Sequence, residues 1–194
     1  MEQNKSYTWI KKNAIAIFFA GVGLVLFISP NAKAWVLQKL VAIGLFNAEI
    51  KEQGIHNQPE TTTFLYTNAE GKMNTTAILK GKVIFINFWA SWCPPCQAEM
   101  PSIEALYKKL GKDERFFFLF INEDDDKQKA KRYLEKNFYT IPLFSRSGNV
   151  PGEIFSGRLP TTIVINKEGK IVLKHEGMAG YDLKAFVKQL NDLL

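Results

Sequence analysis

Val83-Ile84-Phe85-Ile86-Asn87-Phe88 leads, across four intervening residues, into Cys93-Pro94-Pro95-Cys96, with Glu99 three residues further on. The first six residues have the length and residue types of a buried strand. Beyond the cysteines, Met100, Ile103, Leu106, Tyr107 and Leu110 recur at the spacing of one helix face, and Gly111 supplies a stop. The pair therefore falls at a strand-to-helix junction. Cys93 stands where an N-cap belongs, and Pro94 takes the first helical position, where a missing N–H is harmless. This placement presents the first sulfur and tucks the second into the opening turn. No other cysteine occurs in the 194 residues.

The nucleophile of disulfide exchange is a thiolate, and a free cysteine, with pKa about 8.5, is mostly protonated at neutral pH. The positive end of a helix lowers that value. Cys93 is the expected attacking thiolate, forming a mixed disulfide that Cys96 resolves. Pro94 and Pro95 carry no N–H, so two first-turn donors are missing and the Cys96 amide and thiol are the main local donors to Cys93. Glu99 lies one turn past Cys96 and points back toward the junction. It either moves the proton that Cys96 must lose or merely complements the helix N-terminus from a solvated face. Spacing leaves both open.

Phe88-Trp89-Ala90-Ser91-Trp92-Cys93-Pro94-Pro95-Cys96-Gln97-Ala98-Glu99-Met100-Pro101 resembles the active-site stretch of membrane-anchored thioredoxin-like thiol–disulfide reductases of the TlpA/ResA type. Leu159-Pro160-Thr161-Thr162-Ile163-Val164-Ile165-Asn166-Lys167-Glu168-Gly169-Lys170-Ile171 is similar to that family's cis-proline loop and following hairpin. The two motifs stand in the family's order, and the likeness covers roughly residues 61–194. It implies a thioredoxin-like α/β fold, a mixed sheet with helices on both faces and an N-terminal hairpin. It further implies a redox-active Cys93–Cys96 disulfide with no other cofactor, a cis Pro160 facing the pair, and Glu99 as the active-site acid. Trp92, Pro94, Leu159 and Pro160 are the candidate substrate-contacting residues. Leu159 stands where thioredoxins usually have a β-branched residue. Asn87 replaces the buried aspartate of many thioredoxins, so that aspartate's role does not carry over.

The ends of the chain divide differently. Asn13 to Ala32 is a run of 20 uncharged residues, long enough as a helix to cross roughly 30 Å of hydrocarbon. Lys5, Lys11 and Lys12 precede it, so the positive-inside rule keeps the N-terminus cytoplasmic and exports the rest. Ala32-Lys33-Ala34 also fits a signal-peptide cleavage site, but the length of the apolar part favours retention. Residues 1–34 are therefore expected as a signal anchor in a bacterial cytoplasmic membrane. Residues 35–60 are expected as an interfacial amphipathic helix, with a helix packed on the domain as the alternative, plus a linker (Asn47 to Thr61), and 61–194 as the exported domain.

Within that domain, hairpins are expected around Asn68–Gly71 and Asn166–Gly169, and a second buried strand at Phe116–Ile121. A helix after Glu123-Asp124-Asp125-Asp126 should bury Ala130, Tyr133, Leu134 and Phe138. Ser145–Gly148 reads as exposed loop. A last helix capped by Asp182 should turn Leu183, Phe186, Val187, Leu190 and Leu194 inward.

Composition excludes some functions. The net charge of +6 leaves the domain only slightly basic, with no basic cluster interleaved with aromatics, so nucleic acid is not an expected partner. The expected partners are disulfide-bonded exported proteins (apocytochrome c is one candidate), a membrane thiol–disulfide electron donor, and lipid through the anchor. Other readings are weaker. A metal-binding module would need more ligands than two cysteines, and His56 and His175 are isolated. The acidic run lacks the ligand spacing of a calcium loop. A thioredoxin-fold peroxidase would carry a Pro-x-x-x-Thr-x-x-Cys stretch, absent around Cys93. A purely structural bridge closing so short a loop stabilises little.

Overall fold

The computed structural model describes residues 3–50 and 63–194, with side chains from Lys11 onward. In chain order these are helices α1 (Gln3–Ile28) and α2 (Pro30–Ala42), strands β1 (Leu65–Thr67) and β2 (Met73–Thr75), and a 3-10 turn at Thr76–Leu79. Then come β3 (Val83–Trp89), α3 (Pro94–Leu110), β4 (Phe116–Asn122), α4 (Lys127–Lys136), β5 (Ser145–Ser147), β6 (Thr161–Ile165), β7 (Ile171–Glu176) and α5 (Lys184–Asp192).

The central sheet has the order β4-β3-β6-β7. β3 and β4, apolar apart from Asn87 and the terminal Asn122, pair in parallel, whereas β6 runs antiparallel to β3 and β7. Strand periodicity divides β3 between two cores. Val83, Phe85 and Trp89 join one cluster with residues of α3, α4 and α5, and Ile84, Ile86 and Phe88 join the other. The second face is covered by the β1–β2 hairpin, the 3-10 turn and Val150–Phe155, so α3, α4 and α5 all feed the first cluster. Gly71 and Gly169 close their hairpins at φ of 82° and 84°, conformations open to glycine.

Several local expectations are corrected. Ser145–Ser147 is a strand pairing with β1 to make a second sheet, β2-β1-β5, with the Thr67 and Ser147 hydroxyls bonded across it. Its polar side chains carry no apolar alternation, so nothing in its residue pattern marks it as a strand. Phe138, expected in the core, is 86% exposed at φ 57°. It occupies the left-handed position after α4, where the Phe138 and Tyr139 amides bond back to Glu135 and Leu134 and close the helix. Asp182 does not cap α5. Leu183 does, without a side-chain bond, and faces outward.

The N-terminal segment also differs from expectation. α1 holds one stretch, Lys11–Ile28, long and apolar enough to cross a membrane. α2 is not a free interfacial helix: Ala34 and Val41 are buried, and it lies against α3. Of the expected linker, Asn47–Ile50 is fixed on the domain. Asn47 bridges to Gly180, and Ile50 exchanges two hydrogen bonds with the Gln189 side chain. The remainder, with His56, lies outside the described residues.

Candidate active site

The junction after β3 forms as its sequence dictates. Cys93 is the N-cap of α3 at φ −88°, ψ 107°, and Pro94 and Pro95 fill the first two helical positions. The first available amide is that of Cys96, which points at Cys93 Sγ from 3.3 Å. The two sulfurs are joined as a disulfide. Cys93 keeps 4% of its surface and Cys96 none, so of the pair only Cys93 has any opening to solvent.

The loop carrying the pair is braced from β4. Both carboxyl oxygens of Asp124 accept from Ser91 N, at 3.2 and 3.1 Å, and Asn122 Nδ2 donates to Asp124 at 2.9 Å. Gln97 Nε2 donates to Ser91 O, tying the loop to the helix. A further brace comes from α2. Inside a helix the carbonyl of residue 97 would accept from the amide of residue 101, but Pro101 has none. Gln38 Nε2 fills the vacancy, donating to Gln97 O at 2.9 Å.

Glu99 settles one of the open alternatives on geometry. It has no exposed surface, so the solvated helix-end reading is wrong. Asn87 Nδ2 donates to its Oε1 at 2.7 Å, and the Ala179 amide donates to Oε2 at 3.2 Å. Burial pushes the carboxyl up to about 8, partly offset by these two hydrogen bonds. Asn87 also donates to Thr162 Oγ1 at 2.9 Å, and Tyr181 Oη donates to the same oxygen at 2.8 Å. Burial drives the Tyr181 phenol well above its ordinary range, helped by the nearby Glu99 charge. This polar island exists because the β3–β6 register sets Asn87 directly opposite Thr162. Ala179 is held from the N-terminal side: Gly180 N donates to Phe46 O at 2.6 Å, and Ala48 N donates to Gly180 O at 3.2 Å.

The Leu159–Pro160 bond is cis, as the resemblance implied. Leu159 packs against the cluster that contains both cysteines, and Pro160 is buried beside it. Trp92 is 62% exposed next to Cys93. Pro94 is half-buried at the mouth of the helix. The structure thus gathers Cys93, Cys96 and Glu99 on one helix end. The partners that sequence reading missed are Thr162, Tyr181, Asp124, Gln97 and Gln38. Asn87 enters that reading only as the replacement of a buried aspartate, and its further signal is to be the one polar residue in an apolar strand.

The Redoxin family pattern matches residues 52–190. The chain is 34% identical over 116 residues to the thiol-disulfide oxidoreductase ResA of a Bacillus cereus strain, covering 59% of this chain and 66% of that protein. To ResA of Halalkalibacterium halodurans it is 33% identical over 119 residues, covering 61% and 67%. A thiol:disulfide interchange protein of the thioredoxin family from Chlorobium tepidum TLS matches in structure with a TM-score of 0.55 at 25% identity, over 69% of this chain and 97% of that one. The chain spans about two thirds of the length of these curated relatives. It belongs to the Redoxin family and, within it, to the ResA-type thiol–disulfide oxidoreductases.

Proposed function

We propose that the chain is a membrane-tethered reductase of disulfides in exported proteins, apocytochrome c among the candidates, recharged by a membrane thiol–disulfide donor. The observation that carries the reading is the Cys93–Cys96 disulfide at a helix N-terminus with a buried carboxyl one turn behind it. In the reduced chain, Cys93 thiolate attacks a substrate disulfide and expels the first substrate thiolate, which takes a proton from solvent. Cys96 then gives its proton to Glu99 and attacks Cys93 Sγ. The Cys93–Cys96 bond forms, the second substrate thiolate leaves and is protonated by solvent, and two electrons have passed to the substrate. Burial suits Glu99 to this task. An exposed carboxyl near 4.3 is a poor base for a thiol near 8.5, whereas one near 8 is closely matched.

The tether reading rests on the apolar span Lys11–Ile28 and the lysines before it. Residues 1–34 would stay on the mature chain, and protease added from the outer side would digest the domain. An N-terminus at Trp35 would refute retention. For the chemistry, Cys96→Ser should trap substrate on Cys93 while Cys93→Ser traps none. Capture by the Cys93 variant would refute the order of attack. A reduction potential near that of thioredoxin supports the reducing direction, and one near DsbA opposes it.

A further inference from the structure

We infer that Asn87 positions the Glu99 carboxyl for proton exchange with Cys96, and that Thr162 and Tyr181 hold Asn87 in place. The inference rests on the reading of Glu99 as the proton acceptor of Cys96. Asn87 sits in the middle of β3, fully buried, in a strand otherwise apolar. A buried amide is costly unless bonded, and a strand kept only for packing would carry an aliphatic residue there. The donor end of this amide is fully committed. Nδ2 has two hydrogens, and they go to Glu99 Oε1 and to Thr162 Oγ1. Its Oδ1 finds no partner among the described residues, so the residue is oriented by what it donates.

The anchor comes from the sheet. Thr162 is the cross-strand partner of Asn87, so strand pairing itself delivers the hydroxyl, and Tyr181 secures that hydroxyl from the loop after β7. With Oε1 pinned, Oε2 is the oxygen that takes the Cys96 proton and releases it, its own bond from Ala179 being the longer one at 3.2 Å. The titratable groups around Glu99 are Cys96 on α3, Tyr181 on the loop after β7, and, one strand further out, His175, cross-strand from Thr162. β3 and β6 present the neutral Asn87 and Thr162.

The test follows resolution of a preformed mixed disulfide between Cys93 and 2-nitro-5-thiobenzoate in the full-length chain in detergent, across pH 5–10, by release of the coloured thiolate. Asn87→Ala removes a donor to the ionised carboxyl. The midpoint of the pH–rate profile should rise by about one pH unit, and the rate at pH 7 should fall about tenfold. Thr162→Val, which keeps the shape and removes only the hydroxyl, should move the midpoint the same way by less. In a Glu99→Gln background each substitution should change the rate by less than about twofold, because the effect acts through the carboxyl. A wild-type midpoint in both variants, or equal losses with and without Glu99, overturns the positioning role and leaves that of Glu99 standing. Wild-type resolution by Glu99→Gln alone fails the Glu99 reading, and the inference with it.

Discussion

Gln38 and Gln97, fifty-nine positions apart, are joined by a hydrogen bond that exists because Pro101 has no N–H to offer. The proline opens a carbonyl in the redox helix, and the helix that follows the apolar span closes it. Gln38→Ala should lower stability by about 1 kcal/mol, the usual net value of one such bond. Pro101→Ala restores an amide at that position, which competes for Gln97 O. In that background the Gln38→Ala penalty should shrink below about 0.5 kcal/mol. Chemical unfolding of the four chains measures this, and equal penalties in both backgrounds would disprove the link.

Glu99 predicts a pH-dependent stability with a definite sign. Its carboxyl binds a proton near 8 when folded and near 4.5 when unfolded. Between those values the folded chain holds a proton that the unfolded chain has released. Stability therefore falls as pH rises from about 4.5 to about 8 and levels off beyond. The loss should be on the order of a few kcal/mol. Glu99→Gln has nothing to titrate there, so the difference in thermal midpoint between variant and wild type should widen across this window. Parallel curves at pH 5, 7 and 9 would contradict the burial argument.

Pro94 bears on the acidity of Cys93. The nearest amide pointing at Sγ is that of Cys96, and neither proline adds a second. Pro94→Gly supplies another N–H and should lower the Cys93 pKa by roughly half a pH unit or more. Titration of the reduced protein by thiolate absorbance reads it directly, with an unchanged or higher value as the contrary result.

Phe138 predicts a gain. An exposed aromatic at φ 57° pays the left-handed penalty that glycine avoids. Phe138→Gly should stabilise the fold by about 1 kcal/mol, visible in thermal unfolding. A loss would mean that the ring makes contacts worth more than the backbone strain.

What could be read from the sequence, and what could not, divides along physical lines. β3 and β4 were legible as near-continuous apolar runs, and α3 by the helical spacing of its buried residues. The Cys93 cap followed from two prolines. β5 was not legible, since Ser145-Arg146-Ser147 is polar throughout and shows no apolar alternation, and only its pairing with β1 makes it a strand. Phe138 looked like core because helix spacing continues past the last helical residue and nothing marks the turn. The burial of Glu99 was hidden because two of the groups beside it, Ala179 and Tyr181, arrive from beyond residue 160, where spacing along α3 says nothing.

The pairing of Phe46–Ala48 with Gly180 has a practical side. A Cβ at position 180 would lie 3.3 Å from the Phe46 carbonyl oxygen, so the approach is close enough to favour glycine. The neighbouring Ala179 amide is the one that contacts Glu99 Oε2. A soluble fragment trimmed at the start of the expected domain would thus lose the Gln38 brace and this clasp together. Its acid would sit under a loop no longer pinned from outside, and its pH profile would belong to the fragment. Measurements meant to describe the cellular protein should keep residues 30–50 attached, with the apolar span held in detergent or a nanodisc.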